Sequence, residues 1–298
     1  MNERVFLDYT QQQLDDAYDQ IVYAANRDQI AARGKRNSEL VRKRLGEPLR
    51  LAYGPGAIEQ LDLYQAKRKR APAPIAVFIH GGAWRTGHAR DYAYAAETFV
   101  NAGAHLVVPD FNSVEEVGGS LFVMADQVRR AVAWLHRHAT ELGGDASRLY
   151  VCGRSSGAHL GGCVAITRWH EDFGLPADTV KGYTLCSGMY DLRGPRLSKR
   201  SRYVGFTDEM EQALSPQRHL ERIVAPITLL YGSLETPEFQ RQSREFAAAL
   251  QAAGKPVQLI LAPGYNHFEI SETLGNPHGV FGRAALAQMK MGTHSNFR

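Results

Sequence analysis

Ser155 sits between Gly153 and Gly157 in Gly-Arg-Ser-Ser-Gly, after the apolar run 149–152 and ahead of a helical pattern from Ala158 to about Trp169. That spacing reads as a nucleophile elbow, a strand-to-helix turn that lifts a hydroxyl clear of the sheet edge. Glycines belong at its flanks because a Cβ there would obstruct the approach of strand and helix. A serine hydroxyl is a weak nucleophile at neutral pH. It needs a base, a group to orient that base, and donors for the charge that develops on an attacked carbonyl oxygen. His80-Gly81-Gly82-Ala83-Trp84, directly after the short apolar run 75–79, supplies a glycine turn with main-chain amides to spare. The N–H groups of Gly82 and Ala83, with that of Ser156 at the positive end of the helix, are the expected oxyanion donors. His80, Gly81, Trp84 and Phe111 are the expected substrate contacts.

The orienting acid and the base are expected in that chain order after the serine. Segments 226–232 and 257–261 read as strands, and the loop after each carries one candidate, Glu235 and His267. Loops at strand ends are where open α/β sheets gather their sites. The chain has 11 histidines, so the others must be weighed. His136, His138 and His170 fall in helical patterns, His219 precedes an apolar linker, and His278 and His294 lie past the loop. Glu238 follows Pro237 and belongs to the first turn of the next helix, where a carboxylate suits the dipole. Asp191, behind the strand-like segment 182–187, is the rival for the acid.

An alternation of strands and helices must position these groups. Strand-like runs near Ile75, Ala104, Arg148, Val180, Pro226 and Pro256 are separated by helical stretches near Asp91, Leu121, Ala158, Phe239 and Phe281. They predict one α/β domain over residues 1–298, built on a mostly parallel eight-stranded sheet behind an antiparallel hairpin. Thr10-Gln11-Gln12-Gln13 reads as a capping box ahead of a helix through about Ala25, and 28–45 as a second, charged helix. This segment, 1–48, either caps the pocket mouth or packs on the flank. The polar insertion at 191–222 is the expected small lid.

The ordered set of motifs resembles the kynurenine formamidase (arylformamidase) branch of the α/β hydrolases, neighbours of the hormone-sensitive-lipase-like esterases. The likeness rests on HGGAW at 80–84, GRSSGAH at 153–159, SGMYDL at 187–192, ETPEFQRQS at 235–243 and NHFEI at 266–270, with AYGPGAIEQLDLY at 52–64 as the opening hairpin. It implies a Ser155–Glu235–His267 triad and hydrolysis of a small aryl formamide such as N-formylkynurenine, with no cofactor and no metal. The chain departs from the family where Glu235 replaces a frequent aspartate and Arg154 a frequent histidine. Segment 111–119 also differs and is expected to line the pocket.

Charge and cysteines add exclusions. The net charge of +4 is mild, and the Lys67-Arg68-Lys69-Arg70 run lacks the aromatic interleaving of a nucleic-acid surface. Arg85, Arg154 and Arg196 are candidate contacts for an anionic substrate. Cys152, Cys163 and Cys186 show no metal-ligand spacing and read as reduced core residues of a cytoplasmic protein. No apolar leader or membrane span is visible, 293–298 reads as a frayed end, and a homodimer is left open. Three readings remain: a formamidase, a carboxylesterase for short acyl esters, and a non-catalytic small-molecule binding protein.

Overall fold

The computed structural model describes residues 3–67 and 72–292. In chain order the strands are β1 (Arg4–Phe6), β2 (Tyr9–Thr10), β3 (Leu49–Ala52), β4 (Gln60–Tyr64), β5 (Ala73–Ile79), β6 (His105–Pro109), β7 (Gly144–Arg154), β8 (Tyr183–Cys186), β9 (Ile227–Gly232) and β10 (Val257–Ala262). The helices are α1 (Gln11–Ala17), α2 (Arg27–Leu45), α3 (Ala96–Ala102), α4 (Leu121–His138), α5 (Ser156–Ala165), α6 (Trp169–Phe173), α7 (Arg193–Leu197), α8 (Asp208–Ala213), α9 (Pro237–Ala252), α10 (His267–Glu272) and α11 (Val280–Gln288). Strands β1 and β2 form a separate ribbon, and the other eight form one sheet in the order β10-β9-β8-β7-β5-β6-β4-β3.

Burial along the strands explains that order. All seven residues of β5 are buried, which requires cover on both faces and places the strand centrally. Val77 and Ile79 pack with Val107, Val151, Leu185 and Leu229 on one face. The alternate residues Ala76 and Phe78 pack with Leu106, Val108, Cys152, Cys186 and Leu230 on the other. Pairing is parallel from β6 through β10, while β3 and β4 are antiparallel, so the expected hairpin stands at the sheet's edge. The carboxyl ends of β5, β7, β8, β9 and β10 therefore point to one edge.

Two helix lengths differ from the sequence reading. The capping box forms, with Thr10 accepting from the Gln13 amide and Gln13 from the Thr10 amide, yet the first helix ends at Ala17 instead of near Ala25. Asp19 then caps a separate 3-10 turn, Gln20–Tyr23, through the amide of Ile21. Helix α5 stops at Ala165, and α6 begins anew at Trp169. The basic residues 68–70 and the end segment 293–298 lie outside the described residues. Cys152, Cys163 and Cys186 are buried free thiols, and among the described residues no helix is long and apolar enough to cross a membrane.

Candidate active site

Strand β7 turns into α5 through Ser155, whose φ of 53° puts a non-glycine residue in the left-handed region. The turn closes so tightly that a Cβ on Gly157 would stand 2.2 Å from the carbonyl oxygens of both Ile79 and His80. A Cβ on Gly153 would stand 2.6 Å from the Gly157 oxygen. Two glycines are thus obligatory at this spacing, as the sequence pattern required. The Ser155 amide donates to Cys186 O at 2.8 Å, tying the elbow to β8.

The loop after β5 is bent more sharply. Gly82 has φ 122°, and Ala83 and Trp84 follow at 56° and 63°. A Cβ on Gly82 would fall 1.9 Å from Thr86 O. Two consecutive L-residues in the left-handed region cost free energy and persist only when their surroundings hold them. Trp84 supplies the hold: it is buried, its carbonyl accepts from the Val114 amide at 2.7 Å, and its Nε1–H donates to His159 Nδ1 at 3.2 Å. His159 on α5 in turn donates from Nε2 to Leu214 O at 2.8 Å. Burial pushes the pKa of His159 down to about 4, so the ring stays neutral and keeps Nδ1 as an acceptor. The amides of Gly82, Ala83 and Ser156 donate to no acceptor among the described residues.

Glu235 and His267 meet. His267 Nδ1 lies 2.8 Å from Glu235 Oε2, with both side chains buried. The other carboxylate oxygen, Oε1, accepts from Ser187 Oγ at 2.5 Å and from the Gly232 amide at 2.7 Å. Gln20 Nε2, from the 3-10 turn, reaches Oε2 at 3.3 Å. These donors fix the carboxylate in place, with Oε2 facing Nδ1, an arrangement that would leave Nε2 of His267 free to take a proton. A hydrogen bond from Ser155 Oγ to His267 Nε2 is not formed here; in free enzymes such bonds commonly close only with substrate.

Sequence reasoning missed several supports. Ser187, directly after β8 and itself at φ 56°, was readable only as part of a motif. Asn266 and Glu269 form a capping box that starts α10 at His267, a signature legible in Asn-His-Phe-Glu but not taken up. Gln20 carried no signal, since nothing local marks a residue 215 positions from its partner.

Rival acids and cations are placed elsewhere. Asp191 pairs with Arg218 at 3.1 Å, and Glu238 opens α9 behind Pro237, bonded to Tyr18 and Arg241. Arg85 pairs with Glu115 and Arg196 with Glu211 and Asp208, so neither offers an unpaired charge to a substrate. His80, Gly81, Trp84 and Phe111 line one cavity of about 100 Å³ together with Ser156, Asn112, Ser113 and Glu116. Within its wall the His80 ring is stacked between Phe111 at 4.4 Å and Tyr92 at 4.9 Å.

Desolvation lowers the pKa of His267 below the ordinary histidine value; Glu235 opposes the shift, and the nearby Arg154 and Arg200 add to it. A neutral imidazole flanked by a carboxylate can act as a general base under mildly acidic conditions.

Comparison with known proteins agrees with this architecture. A protein from Silicibacter sp. proposed to be a thioesterase superposes with a TM-score of 0.80 at 23% identity, covering 91% of this chain and 98% of its own. The sheet and its helical layers share the fold of that protein. The BD-FAE family matches residues 61–186. Kynurenine formamidase of Danio rerio is 30% identical over 227 residues, 74% of this chain and 75% of that protein. The Salmo salar kynurenine formamidase is 31% identical over 234 residues, 76% of each. The chain belongs to the kynurenine formamidase and esterase-like branch of the α/β hydrolases.

Proposed function

We infer that the chain cleaves a small aryl formamide or amide, such as N-formylkynurenine, by two-step acyl transfer from Ser155. The observation that carries this reading is the buried Glu235–His267 pair at the same sheet edge as the strained Ser155 turn. Ser155 Oγ attacks the carbonyl carbon while His267 Nε2 takes its proton, and Glu235 holds the ring through Nδ1. The amides of Gly82, Ala83 and Ser156 receive the oxyanion; losing one such donor costs on the order of a hundredfold to a thousandfold in turnover. His267 then protonates the departing nitrogen, and water, deprotonated by the same ring, releases the acid. The cavity of about 100 Å³ lined by His80, Gly81, Trp84 and Ser156 lies beside the proposed oxyanion amides.

The test is turnover of N-formylkynurenine and of p-nitrophenyl acetate by the wild type and by Ser155→Ala. Formamide cleavage by the wild type, with loss of about 10⁴-fold or more in the variant at unchanged circular dichroism, is expected. Rapid ester cleavage with negligible formamide cleavage would move the chain to the esterases. Binding without any turnover would make it a receptor on a hydrolase fold.

A further inference from the structure

The reaction leaves one residue of the elbow without a task. Arg154 precedes Ser155, and its side chain runs along the oxyanion loop. A Cβ built on Gly81 would stand 3.2 Å from Arg154 Nε and 3.1 Å from Ser155 Cβ, so the Arg154 guanidinium and the Ser155 side chain approach the same glycine. Nε is buried with no hydrogen-bond partner, and among the described residues no carboxylate pairs with this half-buried side chain.

The carboxylates on neighbouring elements are already engaged. Glu235 is held by His267, Ser187 and Gly232, Glu269 by Asn266 and Asn26, Glu272 by Arg33, and Asp91 by the amide of His88. A second cation stands across the site. Arg200 is only 6% exposed and lies 5.4 Å from the ring of Trp84 and 5.9 Å from that of Phe239. Its terminal nitrogens are spent on Tyr18 O and Tyr203 Oη rather than on a carboxylate.

Desolvated positive charge without a counterion is costly, and a protein retains it where something else supplies the anion. The planar guanidinium fork matches a carboxylate in two parallel hydrogen bonds. Arg154 does not line the small cavity beside Gly81 and Ser156, and its charge acts on His267, the ring that would protonate the departing group, which puts it with the leaving half of the substrate.

We propose that Arg154 is a specificity-determining residue that receives a carboxylate on the leaving half of the substrate, so that the site selects anionic aryl acyl compounds over neutral isosteres. This rests on the reading of Ser155 as the nucleophile.

The experiment separates binding from turnover. Ser155→Ala, Ser155→Ala with Arg154→Met, and Ser155→Ala with Arg154→Lys are titrated calorimetrically at low and high salt. The ligands form two pairs: meta-formamidobenzoate with meta-formamidobenzamide, and meta-acetoxybenzoate with meta-acetoxybenzamide. The expected result is about tenfold tighter binding of each charged member. That ratio falls to about one with Arg154→Met, is partly kept with Arg154→Lys, and shrinks in salt. Equal binding of both members by Ser155→Ala overturns the proposal without recourse to any arginine variant. A preference that survives Arg154→Met also overturns it. Wild-type turnover of the same pairs keeps the two readings apart: cleavage of the acetoxy pair alone, with an Arg154-dependent charge ratio, sinks the formamidase reading and leaves this one standing.

Discussion

At Glu235 a single methylene decides how the acid reaches its histidine, and three donors set the angle from which it does so. Ser187 and Gly232 hold one oxygen, leaving the other for His267 and Gln20. Glu235→Ala is expected to lower kcat by about 10³–10⁴-fold, the usual loss when the orienting acid of such a triad is removed. Asp191→Ala removes a partly exposed partner of Arg218 and the acceptor of the Arg193 amide, and is expected to cost on the order of 1 kcal/mol of stability, with kcat within about twofold of wild type. Steady-state kinetics on both variants checks the pair, and the reverse order of losses would show the acid to be misassigned. The pH profile belongs to the same scale. Burial first, and then Arg154 and Arg200, outweigh Glu235 and keep the His267 pKa below the ordinary value of 6.5. The proposed base His267 works in its neutral form, so kcat/KM is expected to fall as pH drops through a pKa below 6.5. An acidic limb centred above 6.5 in the kcat/KM profile contradicts the assignment.

Among elements, the 3-10 turn Gln20–Tyr23 has the least expected part. The segment before β3 was open between capping the pocket and packing on the flank, and its Gln20 side chain reaches the acid itself: Nε2 touches Glu235 and Oε1 accepts from the Thr236 amide at 3.4 Å. Gln20→Ala should therefore lower kcat about fivefold, the equivalent of one hydrogen bond, with KM little changed. Kinetics indistinguishable from wild type would reduce the segment to packing. Legibility follows the same division. Strands β5, β7, β9 and β10 and the loops after them were readable because apolar runs and glycine spacing are local signals, and so was α9 behind Thr236-Pro237. The break after Ala17 was not, because Asp19 and Gln20 find their partners in a chain folded back on itself. Asn266 and Glu269 stand between these cases: their box is local, yet the strand before it and the histidine inside it made the segment read as loop.

In the molecule as a whole, the sheet gathers strain at one edge. Of the six non-glycine residues with positive φ among those described, Ala83, Trp84, Ser155 and Ser187 belong to the loops after β5, β7 and β8. Strained residues of this kind cluster where the surrounding packing over-determines them. Here that packing includes Trp84 on His159 and His159 on Leu214, which joins the oxyanion loop to the insertion at 191–222. The insertion, proposed as a lid, is thus also tied to the loop after β5 through one neutral imidazole.

The carboxylate of Glu235 draws its donors from positions 20, 187, 232 and 267, which span nearly the entire chain. Gly232 is a sequence neighbour of Glu235, but the Gln20 contact spans 215 positions and is the entropically costliest of the four to close. Full competence is therefore expected to lag: during renaturation, helical and strand signals and a turnover about fivefold below native should return before the native rate does.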